Sequence, residues 1–145
     1  MVQLVLPNDA NTLGNVLGGM VLHWADLAAA VVAHRHCRSE AVTASIDQVS
    51  FLAPIKVGQV AKITARMTYA GRTSMEIRVD IESEDLGTGE RRKTSTAYMT
   101  FVAIDKSGRP KPVPPLILET AEERREARAA EERRAERLKH RGPQP

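Results

Sequence analysis

The stretch Gly18-Gly19-Met20-Val21-Leu22-His23-Trp24-Ala25-Asp26-Leu27-Ala28-Ala29-Ala30-Val31-Val32-Ala33-His34-Arg35-His36 decides the fold. From Met20 to His36 it is too long for a typical strand and rich in Ala and Leu, so it reads as a helix. Apolar residues go nearly all the way round it, which predicts a helix wrapped by other structure rather than laid on a surface. Asp26 interrupts the run, leaving no stretch near the roughly 20 apolar residues that a membrane helix needs.

On the N-terminal side, Gln3 to Leu6 reads as a short strand, and Pro7 to Leu17 is dense in turn formers and reads as a loop. On the C-terminal side come four strand candidates. Val42 to Phe51 alternates Val42, Ala44 and Ile46 with Thr43, Ser45 and Asp47, and Pro54 to Gly58 turns into a second strand, Gln59 to Tyr69. Gly71 to Ser74 is a hairpin connection into Met75, Ile77, Val79 and Ile81 alternating with Glu76, Arg78, Asp80 and Glu82, the cleanest period-two signal in the chain. Asp85 to Gly89 turns again into Lys93 to Asp105. Short connections and two-faced strands imply antiparallel pairing. The fold class is therefore α+β: one long central helix and a curved antiparallel sheet of five to six strands.

Composition narrows the function. The chain has 145 residues, 42% hydrophobic and 27% charged, which suits one globular domain. A sharp change near Pro114-Pro115 divides it into a body, 1–115, and a Glu/Arg/Ala extension, 116–145. Leu118 to Arg141 is rich in helix formers with nothing to bury, and reads as a solvated helix laced by Glu122/Arg125, Glu131/Arg134 and Glu136/Lys139. The net charge of +3 comes from 21 basic against 18 acidic residues, spread over both parts. Neither part forms a basic patch that would grip a duplex. Five aromatics, Trp24, Phe51, Tyr69, Tyr98 and Phe101, are too few and scattered for base stacking, so no nucleic-acid partner is expected. Cys37 is the single cysteine, which excludes a disulfide framework and a cysteine zinc site. The opening Met1-Val2-Gln3 shows no secretory pattern, so a cytoplasmic address without membrane association is expected.

The residues that could carry chemistry cluster at the helix. Asp26 is a carboxylate among Leu22, Ala29 and Ala30, a position that is costly unless the group is paired, hydrogen-bonded or used. Gly14-Asn15-Val16-Leu17-Gly18-Gly19 leads into the helix, whose first N–H groups and positive dipole end suit an oxygen acquiring negative charge. Amide, N–H donors and carboxylate together suit attack on an activated carbonyl by water. A serine hydrolase is disfavoured, because no Gly-x-Ser-x-Gly elbow is present. His34 and His36 point apart on a helix, His23 lacks a partner at i+4, and no metal site is expected. Cys37 reads as an inert thiol.

The blocks Pro7-Asn8-Asp9-Ala10-Asn11-Thr12-Leu13-Gly14-Asn15-Val16-Leu17-Gly18-Gly19 and Trp24-Ala25-Asp26 resemble the signature of the hot-dog fold acyl-CoA thioesterases. The similarity continues through Val42-Thr43-Ala44-Ser45-Ile46-Asp47, Phe51 to Gly58, Gly71 to Met75, Thr100 to Asp105 and Gly108-Arg109-Pro110. Within that family it is closest to the cytosolic, brain-type hydrolases and their short bacterial branch. The resemblance implies a sheet wrapped around the helix and cleavage of acyl-CoA to fatty acid and CoA. It implies that Asp26 acts as general base or nucleophile with Asn15, and that Gly18 and Gly19 hold the thioester oxygen. Ser50 and Phe51 would lie along the pantetheine arm, and Arg72, Thr73 and Ser74 near the CoA phosphates. No cofactor is implied beyond CoA as part of the substrate. The implied partner is a second copy of the chain, in a dimer and a trimer of dimers, with the site at the dimer interface. Two rival readings on the same fold are a non-catalytic acyl-CoA sensor, which usually carries a DNA-binding segment, and a hydratase or dehydratase, which needs a His beside an acid. His23 is the one histidine near Asp26, and its surroundings do not match that second pattern.

Overall fold

The computed structural model describes residues 1–47 and 49–140. In chain order they form β1 (Val2–Leu4), a 3-10 turn (Pro7–Asp9), α1 (Gly18–Cys37), β2 (Glu40–Ile46), β3 (Val60–Ala70), β4 (Ser74–Glu84), β5 (Arg91–Ile104) and α2 (Ala121–His140). The strands make one antiparallel sheet in the order β1-β3-β4-β5-β2. The expected hot-dog architecture is present: a curled five-stranded sheet with a long helix against one face.

Period-two alternation decides what meets that helix. Met75, Ile77, Val79 and Ile81 of β4 are at most 1% exposed, as are Ala97, Met99 and Phe101 of β5. Each large side chain of this kind contributes roughly 1.5–3 kcal/mol by leaving water. From α1 they meet Val21, Trp24, Ala25, Ala29, Ala33 and Cys37. Alanines 25, 29 and 33 are four apart and fully buried, so α1 presents a stripe without bulk and can sit close on the sheet. The helix stops where Arg38 takes a left-handed conformation (φ 54°) and donates its N–H to the His34 carbonyl.

Three expectations need correction. First, α1 is not wrapped all round: Leu27 (48% exposed) and Val31 (50%) face out, because a single sheet curls over only one side. Second, the strand read from Val42 to Phe51 ends at Ile46, where the chain leaves β5 and places Ser50 and Phe51 in the connection to β3. Third, the tail does bury residues. α2 packs on β3, with Ala127 and Ala130 buried.

Charge on the outer face of the sheet explains that packing. Arg66 on β3 bonds both Glu126 of α2 and Asp80 of β4, and Arg133 of α2 bonds Glu76 of β4 at 2.7 and 3.0 Å. The expected i,i+3 pairs within α2 are replaced by pairs across to the sheet; within α2, among the described residues, the ion pair is His140 with Glu136. The Arg133 guanidinium also lies 3.7 Å from the Tyr98 ring centroid. Burial pushes the Glu76 carboxyl up, but Arg133, Thr68 and Arg137 outweigh it and hold it below the ordinary glutamate range.

Candidate active site

The site begins with the loop that feeds α1. Asp9 is buried, accepts the Leu6 N–H on its carboxylate at 2.9 Å and offers its carbonyl to the Leu17 N–H at 2.8 Å. The Asn11 side-chain oxygen accepts the N–H groups of Leu13 (2.9 Å) and Asn15 (3.2 Å), so a side chain closes the turn in which Gly14 adopts φ 79°. Val16 then pairs to the Ile55 carbonyl at 2.7 Å. With its entry loop tied at each of these points, the start of α1 is held rigidly. No side chain caps the helix at Leu17. The Gly18 and Gly19 N–H groups have no partner among the described residues and open toward solvent.

The Phe51 ring lies against Gly18: a Cβ there would stand 3.4 Å from it, in ordinary contact. A pocket of about 370 Å³ lies at this junction, lined by Asn15, Val16, Gly18, Val21, Phe51 and Ile55, among others. Three residues singled out from sequence, Asn15, Gly18 and Phe51, therefore share one pocket.

Asp26, two turns further along α1, is half-buried. Its Oδ1 accepts the hydroxyl of Thr43 on edge strand β2 at 2.6 Å. An O–H···O⁻ contact that short is a charge-assisted bond, which fixes the carboxylate's rotamer and leaves Oδ2 without a partner among the described residues. A bulge in β2 aims Thr43: its register is Thr43 opposite Phe101 but Ser45 opposite Thr100, with Ala44 as the extra residue.

Other expected residues lie elsewhere. Thr73 and Ser74 line a second, larger pocket of about 690 Å³ with Ser45, Asp47 and the α2 residues Arg133 and Arg137. Arg72 is exposed, and its carbonyl accepts the Val113 N–H. Ser50 is exposed and lines neither pocket. Within one chain, Asp26 and Asn15 share no hydrogen bond. The histidines that end α1 have structural partners: His34 accepts the Ala41 N–H and His36 bonds the Pro114 carbonyl. Sequence reasoning gave no role to Thr43 or Asn11. A hydroxyl on the strand residue that faces the helix was the available signal for Thr43, and the bulge concealed it.

Comparison with known proteins agrees with the fold. The thioesterase superfamily profile matches residues 13–90. The uncharacterized acyl-CoA thioester hydrolase YkhA of Bacillus subtilis is 43% identical over 119 residues, covering 82% of this chain and 69% of its own length. The cytosolic acyl coenzyme A thioester hydrolase of Mus musculus is 35% identical over the whole chain, which spans 40% of that protein. Among solved structures, an apo-hexameric acyl-CoA thioesterase superposes with a TM-score of 0.93 at 43% identity, over 99% of this chain and 92% of the other. An acyl-CoA hydrolase from Staphylococcus aureus, in complex with butyryl-CoA, CoA and CoA disulfide, gives 0.85 at 36% identity, over 96% and 87%. The same Staphylococcus aureus enzyme has been solved with an asparagine, an aspartate and a threonine each replaced by alanine. A curled sheet over a long helix, a carboxylate held at the helix and a matched sequence profile converge, and the chain belongs to the thioesterase superfamily, with the hot-dog fold.

Proposed function

We propose that this protein hydrolyses acyl-CoA to a free fatty acid and CoA. The observation that carries the reading is the Thr43–Asp26 bond of 2.6 Å, on a helix whose N-terminus has no side-chain cap. Asp26 takes a proton from water as the water oxygen attacks the thioester carbon. Thr43 holds the carboxylate aimed. The N–H groups of Gly18 and Gly19 in the facing copy, since those of the same chain lie two turns from Asp26, receive the oxygen as it becomes negative. The tetrahedral intermediate then collapses, the C–S bond breaks, and the proton held on Asp26 goes to the departing thiolate.

An amide completes the set. In the Staphylococcus aureus enzyme the three substituted positions run asparagine, aspartate, threonine, spaced by 15 and then 17 residues. Asn11, Asp26 and Thr43 repeat that spacing, which favours Asn11 over Asn15 as the amide that orients water or thioester. Asn15, with Phe51, then lines the pocket that takes the arm of the substrate. Ser50 stays in the proposal as a pantetheine contact, and Arg72, Thr73 and Ser74 as phosphate contacts. A second copy of the chain completes the site. Supporting this are the bare α1 face at Leu27 and Val31 and the open edge of β2, together an apolar surface beside an unpaired strand. A trimer of such dimers is the proposed assembly.

Release of free CoA from a panel of acyl-CoAs, followed with a thiol reagent, tests the reading. Asp26→Ala is expected to lower kcat by at least about 100-fold, the scale of losing a general base. Full turnover by that variant would remove Asp26 from its role, and binding of acyl-CoA without turnover by the wild type would make the protein a sensor instead.

A further inference from the structure

We propose that Arg137, on the tail helix, is a positioning residue for the candidate active site. Its ion pair with Asp47 fixes the point where β2 leaves the sheet, and through it the places of Thr43 and Phe51. The kinetic part of this inference rests on acyl-CoA hydrolysis at Asp26; the structural part does not.

The bulge in β2 makes the connection. Directly opposed residues of an antiparallel pair share a face, so Thr43, opposite Phe101, lies on the α1 side. Ser45, opposite Thr100, lies on the outer side. Without Ala44 as the extra residue, positions 43, 45 and 47 would share one face, as the plain alternation of the sequence predicts. The inserted residue sends Thr43 toward Asp26 and turns Asp47 toward α2. There the Asp47 carboxylate meets Arg137 at 2.6 Å, each side chain little more than a fifth exposed. The same guanidinium reaches Glu76 at 3.4 Å, so one arginine ties the end of β2 to the start of β4.

The segment beyond Asp47 gives the tie its consequence. The Asp47 N–H donates to the Tyr98 carbonyl at 2.9 Å, and the next backbone bond to the sheet in the described residues is from Leu52 to the Thr94 carbonyl at 2.7 Å. Between these anchors lie Ser50 and Phe51, and the Phe51 ring sits over Gly18 at the start of α1. β2 is an edge strand, held by β5 on one side alone. A charge-assisted bond from α2 is thus a third support for a strand end that carries the Asp26 partner at one side and the pocket wall at the other.

Amide hydrogen exchange and steady-state kinetics on the full chain test this, using wild type, Arg137→Ala, Arg137→Lys, Asp47→Asn and the exposed control Arg128→Ala, which lines neither pocket. Losing one charge-assisted bond is worth about tenfold in an opening equilibrium. Exchange at the Asp47 and Leu52 amides, the two that are hydrogen-bonded to β5, is therefore expected to rise about tenfold in Arg137→Ala and Asp47→Asn, with α1 and β3 unchanged. KM for butyryl-CoA is expected to rise about fivefold in those two variants, a change that a smaller fraction of folded enzyme would not produce. Arg137→Lys should recover most of both effects, and Arg128→Ala should match wild type. Unaltered exchange at Asp47 and Leu52, or exchange raised equally across β3 and β4, would overturn the proposal and leave Arg137 as a tail fastener. A wild type that releases no CoA would sink the hydrolase reading while the exchange result still judged the tie.

Discussion

Arg133→Met removes one guanidinium from the outer face of the sheet, and its cost is set by the partners left to Glu76. The Glu76 side chain is 1% exposed and loses contacts of 2.7 and 3.0 Å to Arg133, keeping Thr68 at 2.7 Å and Arg137 at 3.4 Å. Breaking a fully buried pair costs about 3–5 kcal/mol. Arg133 is 26% exposed and Arg137 still serves the carboxylate, so the cost falls below that range, to about 2–3 kcal/mol. Loss of the cation over Tyr98 at 3.7 Å adds about 1 kcal/mol. The sum is about 3–4 kcal/mol. Taking a urea slope of about 2 kcal/mol per M, the unfolding midpoint should fall by about 1.5–2 M at fixed protein concentration. Glu76→Gln combined with Arg133→Met abolishes the stranded charge and should regain about half of that loss. A midpoint within about 0.5 M of wild type for Arg133→Met, or strictly additive effects in the pair, would refute the reasoning.

Three other outcomes are expected. Glu76, Asp80 and Glu126 are all held below their ordinary carboxyl ranges in the folded chain: burial raises Glu76 and Asp80, but Arg133 and Arg78 outweigh it, and Arg66 lowers Glu126. Their stabilisation is complete above the unfolded values near pH 4 and is lost as pH falls below them. Urea midpoints should thus drop steeply between about pH 4.5 and 3, and less steeply in Glu76→Gln. Thr43→Val should lower kcat by about 10- to 100-fold while Thr43→Ser stays near wild type, because only the hydroxyl reaches Asp26; equal rates for both would detach Thr43 from catalysis. Asn11→Ala should depress kcat and Asn15→Ala should mainly raise KM for acyl-CoA, and the reverse split would restore Asn15 as the reacting amide.

Much of the architecture was legible from residue patterns. The period-two run from Met75 to Glu82 announced β4, and its two faces proved to be the core and the charged outer face. The apolar stretch after Gly18-Gly19 announced α1, since only a helix accommodates a run of that length. Asp26 stood out because a carboxylate among alanines needs a reason. Its reason, Thr43, was hidden because strand alternation counts residues, and a bulge adds one without any compositional mark. The docking of α2 was hidden differently. Among the described residues its buried side chains are alanines 127 and 130, too small to form a hydrophobic stripe, and its adhesion comes from arginines that read as solvated.

The clasp on Glu76 also bears on how the chain is made. The sheet is complete in sequence at Ile104, whereas Arg133 and Arg137 lie about thirty residues further on. At roughly 5–20 residues per second, a ribosome needs about 2–6 s to add them. During that interval the outer face around Glu76 has neither Arg133 nor Arg137 and stays open to water. Docking of the tail is then the step that closes the outer face of the sheet, and ribosome-bound chains with only residues 1–120 outside the ribosome should yield to proteases that spare those with residues 1–140 outside.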